Sequence, residues 1–248
     1  MSGHSKFHNI KATKDKADAK RGKIFTKIGR EIQVAVKMGG PDPNTNSKLY
    51  DVIQKAKQNN MPNDNITRSI KKAAGEGGDT SNFDAITYEG YGPNGVAFIV
   101  ECLTDNRNRT AGDVRHLFEK HGGSLGTSGS VMYMFNRKGV VLIEKTDSVT
   151  EDELMLTALD FNAEDVVDEE DMFVIYSDPA DMHGLVKGLE EAGYTIASSE
   201  VEYVPNNMLT LDESAQAKIM NLKDKLEDLD DVQNVYVNTE LNEEVEED

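Results

Sequence analysis

A glycine-rich break divides this chain into two parts with different hydrophobic periodicities. Before it, residues 14–74 repeat their apolar side chains every three to four positions, as amphipathic helices do. After the break at Gly75–Ser81, short apolar runs that suit strands alternate with further helical patterns. One regular architecture cannot satisfy both patterns, so the sequence predicts an α+β protein with an all-helical N-terminal domain.

The helical part contains three segments with recognisable ends. The first covers Lys14–Met38, with Gly22 as a candidate break, and the second is capped by Asn46 or Ser47. The third begins at Pro62, a residue that suits the first turn of a helix. Each segment has one short apolar stripe that needs a partner, so we expect a small helical bundle.

The rest of the chain predicts two related α+β domains. Residues 137–205 read strand–helix–strand–strand–helix–strand, the order of a ferredoxin-like unit. Residues 82–136 include a predicted strand at Val131–Phe135 but lack a final helix and strand. A helix at Glu213–Leu229 and a strand at Val232–Val237 can supply that pair.

The predicted domains follow from this assignment. We expect a basic helical domain at 1–80 and a discontinuous α+β domain formed by 82–136 with 206–240. The acidic βαββαβ domain at 137–205 is then inserted into the second domain, and an acidic tail covers 241–248.

The net charge of −18 is distributed very unevenly along the chain. Residues 1–72 carry 16 Lys/Arg against 6 Asp/Glu, whereas residues 151–248 carry 4 against 29. Such asymmetry indicates a polyanionic partner for the N-terminal end. The alternative is that the lysine-rich and glutamate-rich helices simply expose solvated faces.

Nucleic acid is the polyanion that this basic end suits best. Cations on one surface neutralise phosphates, and an aromatic ring beside them can stack on an unpaired base. No helix-turn-helix, zinc-finger or RRM signature is visible, so reading of a base sequence is not predicted. The candidate nucleic-acid-binding residues are Lys6, Phe7, Lys11, Lys14, Lys16, Lys20, Arg21, Lys23, Lys27, Arg30, Arg107 and Arg109.

No motif in the chain predicts catalysis. Gly90–Gly95 fits G-x-G-x-x-G, but the apolar strand follows it, so we expect a turn and no nucleotide site. Gly122–Ser130 lacks the lysine of a P-loop and the spacing of a nucleophile elbow. It is expected to be a structural connection, with contact to a partner as the alternative. His4 and His8 lack a third ligand. We therefore expect no enzyme activity, metal, cofactor or small-molecule substrate.

The sequence also predicts a cytoplasmic protein without a membrane partner. No apolar run approaches the length of a membrane span, and the polar N-terminus lacks the apolar core of a signal peptide. Cys102 is the one cysteine, so an internal disulfide cannot form, which suits a reducing compartment.

Several sequence motifs together resemble the YebC/PmpR family, and the match covers nearly the whole chain. One departure is Phe7, where the family usually has Trp, and the smaller ring weakens a stacking role there. The motifs that carry the resemblance are Gly3–Ile10, Asp18–Lys27, Asn60–Pro62, Asp64–Ile66, Tyr88–Ala97, Thr104–Thr110 and Gly123–Gly126.

The resemblance implies a three-domain α+β protein with a helical first domain and two ferredoxin-like-related domains. It also implies a cytoplasmic transcriptional regulator that binds DNA and has no established catalytic residues. Some members of the family, including mitochondrial translational activators, act on the ribosome and help elongation through proline-rich stretches.

Three functional hypotheses remain open at this point. The resemblance favours a DNA-binding regulator of transcription. The residues alone slightly favour an RNA or ribosome factor, because phosphate and shape recognition need no groove-reading element. The third hypothesis is a protein-interaction scaffold, in which the acidic domain docks a basic partner.

Overall fold

The computed structural model describes residues 17–75, 82–146, 149–169 and 171–241, with side chains described from residue 21 onwards. Five candidate binding residues, Lys6, Phe7, Lys11, Lys14 and Lys16, lie outside the described residues, as do the side chain of Lys20 and nearly all of the predicted acidic tail.

Three helices form the N-terminal unit, called the helical unit below: α1 (Ala17–Gly39), α2 (Ser47–Gln58) and α3 (Asn63–Ala73). The prediction of three helices is confirmed. Gly22 does not break α1, because the helix continues through it without interruption. The apolar core of the unit is built from the stripes of all three helices and the turn between α2 and α3, with Ile32 and Leu49 fully buried.

The turn between α1 and α2 depends on Asn46, which is 5% exposed. Its Oδ1 accepts a hydrogen bond from the Leu49 amide at 3.1 Å, which caps α2. Its Nδ2 donates to the carbonyls of Ala35 and Gly40, each at 2.8 Å, and so ties the end of α1 to the start of α2. A Cβ on Gly39 would lie 2.6 Å from Cγ of Asn46, so glycine is required there.

The first sheet unit consists of four strands and two helices: β1 (Asp84–Tyr91), β2 (Ala97–Thr104), α4 (Arg107–Lys120), β3 (Ser124–Leu125), α7 (Glu213–Glu227) and β8 (Val232–Val237). The strand order is β3-β1-β2-β8, and every pairing in this sheet is antiparallel. Helices α4 and α7 pack on one face, where Phe98, Phe118 and Leu222 are fully buried. β8 pairs with β2 although the segment 105–231 separates the two strands along the chain.

The second sheet unit consists of β4 (Phe135–Glu144), α5 (Glu151–Asp160), β5 (Ala163–Asp168), β6 (Met172–Ser177), α6 (Met182–Glu191) and β7 (Ile196–Pro205). Its sheet has the strand order β5-β6-β4-β7 and is also antiparallel. The elements follow one another along the chain in the βαββαβ order that the sequence predicts, and the two helices cover one face of the sheet. The α+β class is therefore confirmed.

The predicted strand at Val131–Phe135 is wrong. A short 3₁₀ turn, Met132–Met134, occupies this segment, and Phe135 begins the long strand β4. The reason is the buried carboxylate of Glu89, which accepts hydrogen bonds from the Val131 and Met132 amides at 2.8 Å each. Two amides bound to a carboxylate cannot pair with a neighbouring strand.

Polar contacts join the helical unit to the second sheet unit. Lys55 on α2 lies 2.9 Å from Glu31 on α1 and 3.6 Å from Glu200 on β7. On the same side, Nδ1 of His183 in α6 lies 2.8 Å from Oδ1 of Asp51 in α2. None of the described helices is long and apolar enough to cross a membrane.

The structure predicts that Asn46→Ala destabilises the helical unit by about 2 kcal/mol. The variant loses a helix cap and leaves two carbonyls and one amide without their partner. Thr150→Ala is the matched control, because Thr150 caps α5 at an exposed position, where about 1 kcal/mol is expected. Hydrogen exchange of the α2 and α5 amides measures both effects, and equal losses would contradict the role given to Asn46.

Candidate nucleic-acid interface

The carboxylate of Asp231 joins the helical unit to the first sheet unit. Its Oδ1 accepts a hydrogen bond from Arg30 of α1 at 2.9 Å, and its Oδ2 accepts one from Arg109 of α4 at 2.7 Å. The hydroxyls of Thr110 and Thr104 donate to the same Oδ2 at 2.7 and 3.1 Å. Four donors from three segments therefore converge on one side chain that is only 9% exposed.

These donors keep the buried Asp231 carboxylate ionised. Burial by itself would raise the pKa of Asp231, because it removes water from the charged form. The hydrogen bonds from Arg109, Thr110 and Thr104 outweigh that effect, and the pKa is lowered below its ordinary value. The backbone supports the same cluster, since the carbonyl of Asp231 accepts from the Leu103 amide at 2.8 Å.

Three of the predicted cations form a stripe along α1, at positions i, i+4 and i+7. Lys23 Nζ lies 2.9 Å from Oδ1 of Asp228 and Lys27 Nζ donates to the Glu227 carbonyl at 2.8 Å. Arg30 donates to the Asp230 carbonyl and stacks its guanidinium on the Phe83 ring. Burial lowers the pKa of Lys27, and the nearby Glu227 carboxylate, which by itself would raise that pKa, only partly offsets the effect.

This stripe caps the C-terminal end of α7. The last carbonyls of a helix have no partner within it, and the helix dipole places negative charge there. Lys27 donates to the carbonyl of Glu227, the last residue of the helix, and Lys23 binds Asp228, the residue after it. Arg30 adds positive charge to the turn that follows. The sequence predicted nucleic-acid contact for these three residues; the structure gives them a contact within the chain, and the nucleic-acid role stays a prediction.

The two predicted arginines at the start of α4 also bind carboxylates. Arg107 Nε lies 3.3 Å from Oδ2 of Asp84. Arg109 lies 2.9 Å from Asp105 and 2.7 Å from Asp231. Arg21 is the remaining described candidate, and it is exposed on the first turns of α1. The structure thus brings Lys23, Lys27, Arg30 and Arg109 to the same acidic turn, residues 227–231.

Exposed cations on α3 were not among the predicted site residues. Arg68, Lys71 and Lys72 are exposed on the side of α3 opposite Ile66, which is buried in the helical core. Arg68 and Lys71 form no ion pair within the described part of the chain. The sequence does contain a pattern that indicates this face: at helical spacing, these cations lie on the side of the helix opposite the apolar stripe of Ile66, Ile70 and Ala73.

The connection before α3 has the length typical of a helix-turn-helix. Residues 59–62 separate α2 from α3, and Asn60 adopts a left-handed conformation with φ of 57°. The connection has no glycine, the residue that often occurs in the turn of a helix-turn-helix. Asparagine tolerates this conformation better than other non-glycine residues.

The described residues contain no group of three or more His, Cys, Asp or Glu side chains placed to hold a metal ion. Burial raises the pKa of the Cys102 thiol to about 12, so that sulfur stays protonated and weakly nucleophilic.

The structure predicts that Asp231→Asn lowers the free energy of unfolding by about 2 kcal/mol, because the variant loses charged hydrogen bonds to two arginines. Asp105→Asn is the matched control: Asp105 binds Arg109 from an exposed position, so less than about 1 kcal/mol is expected. Urea denaturation measures both. Equal stability of the two variants would show that Asp231 does not hold the units together.

Acidification should weaken the same hydrogen bonds by protonating the Asp231 carboxylate. Because folding lowers the pKa of Asp231, its contribution is complete above the unfolded pKa of about 4 and is lost as the pH falls through the lower folded pKa. The stability of Asp231→Asn should consequently fall less between pH 5 and pH 2 than that of the unsubstituted protein. Parallel pH profiles would contradict this assignment.

Comparison with known proteins places the whole fold in one family. The family described as "TACO1/YebC protein N-terminal domain" matches residues 5–76, and "TACO1/YebC second and third domain" matches residues 83–239. The crystal structure of a conserved hypothetical protein, Aq1575 from Aquifex aeolicus, has a TM-score of 0.82 and 44% identity, covering 93% of this chain and 95% of that one.

Curated relatives agree over almost their full length. A "Probable transcriptional regulatory protein" of Acetivibrio thermocellus is 60% identical over 96% of this chain and 98% of its own. One of the same description from Ruminiclostridium cellulolyticum is 59% identical over the full length of both. The resemblance that the motifs indicated is thereby confirmed, and the chain belongs to the TACO1/YebC family.

Proposed function

We propose that this protein regulates gene expression by binding nucleic acid through the exposed basic face of its helical unit. The observation that carries the proposal is the outward side of α3, where Arg68 and Lys71 are exposed and form no ion pair within the described residues. The names of the curated relatives support a regulatory role. The proposal involves no catalytic step, and it places the protein in the cytoplasm with its nucleic acid.

The charge of the helical unit supports a polyanionic ligand. Residues 21–75 carry eleven Lys/Arg against four Asp/Glu. Not all of these cations are equivalent: those of the α1 stripe bind the acidic turn 227–231, whereas Arg68, Lys71 and Lys72 face outwards. In this proposal α1 fixes the helical unit on the sheets and α3 contacts phosphates.

DNA is the first candidate ligand. The four-residue connection between α2 and α3 resembles that of a helix-turn-helix, in which the second helix enters the major groove. The first residues of α3, Asn63, Asp64, Asn65 and Thr67, are polar and could meet base edges. This geometry, together with the relatives' description as transcriptional regulators, supports a DNA-binding regulator.

RNA on the ribosome is the alternative ligand. Phosphate contacts from α3 would serve an RNA helix as well, because they carry no base sequence. The acidic second sheet unit repels either polyanion, so it would orient the helical unit towards the ligand and limit non-specific coating. A scaffold role for the acidic unit stays a third hypothesis.

The charge-reversal variant R68E/K71E tests the proposal. It should weaken binding to both duplex DNA and structured RNA by more than about tenfold at physiological salt, about 1.4 kcal/mol. It should also reduce the salt dependence of the affinity, by roughly one unit of slope for each lost phosphate contact. Titration at several salt concentrations measures both.

The matched control is K218E/K225E, which changes the net charge equally at two exposed lysines of α7. Its affinity should stay close to that of the unsubstituted protein. Equal weakening by the two variants would mean that overall charge, rather than α3, decides binding. A reversal at Lys23 and Lys27 would be a poor test, because it would also loosen the cap on α7.

Crosslinking in growing cells, with the bound DNA and RNA both sequenced, separates the two ligands. Enriched promoter DNA is the expected result for a transcriptional regulator. Ribosomal RNA crosslinked at one confined site would instead establish the translational alternative. Recovery of neither nucleic acid above the level of R68E/K71E would contradict the proposal and leave the scaffold hypothesis.

A further inference from the structure

The glycine-rich loop 122–130, for which the sequence suggested only a structural role, is held in one shape by a buried carboxylate. Glu89 of β1 is 4% exposed. Its Oε1 accepts a hydrogen bond from the Gly129 amide at 2.7 Å, and its Oε2 accepts two, from Val131 and Met132, at 2.8 Å each. Burial would raise the pKa of Glu89, but these three amides lower it, so the anchor stays charged.

Further hydrogen bonds hold the loop on both sides. The Gly126 amide donates to the Glu89 carbonyl at 2.8 Å, and the Tyr91 hydroxyl donates to the Ser130 carbonyl at 3.1 Å. The segment that follows is tied to the chain after β7, because Asn206 donates to the carbonyls of Tyr133 at 3.2 Å and Met134 at 2.8 Å. The loop and its continuation are therefore ordered before any partner binds.

This rigid support presents an aromatic ring to solvent. Tyr133 is 68% exposed, whereas its neighbours Val131 and Phe135 are 0% and 6% exposed in the core between the two sheets. Met208, on the segment tied to it through Asn206, is also exposed. The ring is therefore held at a fixed place on the surface, with most of its area open to solvent.

The surroundings of the ring are neutral and able to form hydrogen bonds. Thr127 and Ser128 are exposed on the loop that precedes Tyr133, and Asn206 and Asn207 are exposed on the segment tied to it. The carboxylate of Glu89 is occupied by the amides of Gly129, Val131 and Met132. Arg137 is exposed at the start of β4 and forms no ion pair within the described chain. A flat ring, amides, hydroxyls and a guanidinium four residues further along the chain are the kinds of group that bind an unpaired base and its phosphate.

We propose that Tyr133 stacks an unpaired base of a single-stranded segment in the bound nucleic acid. The proposal rests on the proposed function, because it assumes that nucleic acid binds this protein. The site is separate from the helical unit's contact with Asp231: Thr104 lies at one end of β1–β2 and Tyr91 at the other, about 25 Å apart along the strands. Duplex regions would contact α3 and an unpaired segment would reach Tyr133.

Tyr133→Ala tests the stacking, with a labelled oligo(U) of about 12 nucleotides and an RNA duplex of similar length as probes. The Kd for oligo(U) should rise about fivefold or more, and the Kd for the duplex should not change. The salt dependence should stay the same, because the ring carries no charge. Tyr133→Phe, which keeps the ring, should bind within about twofold of the unsubstituted protein.

Leu156→Ala is the matched control, since Leu156 is also 68% exposed but lies on α5 of the second sheet unit. It should leave both Kd values unchanged. The melting temperature of Tyr133→Ala should stay close to that of the unsubstituted protein, because the ring is mostly exposed and the variant loses mainly the side-chain hydrogen bond with Tyr91.

The outcomes distinguish the stacking proposal from the proposed function. If the unsubstituted protein binds neither probe even at low salt, the proposed function fails. If it binds both and Tyr133→Ala binds oligo(U) equally well, only the stacking proposal is overturned. Equal weakening for oligo(U) and duplex, or a changed salt dependence, also overturns it, because stacking on an unpaired base cannot produce either result.

Discussion

The Asp231 carboxylate is the interaction on which the relative placement of the units depends. The helical unit and the first sheet unit have separate apolar cores, so packing of large side chains does not fix one against the other. Polar contacts with the acidic turn 227–231 do so instead. Among them the Asp231 carboxylate is buried, and it must keep its donors to remain so. Arg30 reaches it from α1 and Arg109 from α4, and the two threonine hydroxyls complete its hydrogen bonding.

Buried carboxylates organise both ends of the first sheet. Asp231 lies where β2 ends and gathers side-chain donors, whereas Glu89 lies near the end of β1 and gathers backbone amides. In both sites burial opposes ionisation and hydrogen bonds restore it, so the pKa of each is lowered. The first carboxylate contacts the basic helical unit, and the second fixes the segment that carries the exposed Tyr133 ring.

The sequence pattern predicted most helices and strands correctly, but it did not predict which distant residues they contact. The three helices, the βαββαβ order and the caps at Asn46 and Thr150 follow from spacing within a few residues, where local propensity acts. The strand expected at Val131–Phe135 failed because its amides bind Glu89, a residue some forty positions earlier. No local pattern reports a hydrogen bond over that separation.

The sequence by itself determined the class of fold, the segregation of charge and the absence of a recognisable catalytic motif. Its helical spacing puts Lys23, Lys27 and Arg30, at i, i+4 and i+7, on one face of α1, since helical periodicity is a local property. Only the tertiary structure decided what the stripe contacts, because its acidic partners follow about 200 positions later and reach it only when β8 pairs with β2. The same folding left α3 as the outward basic helix. Local spacing determines which residues share a face, and long-range pairing determines which faces remain exposed.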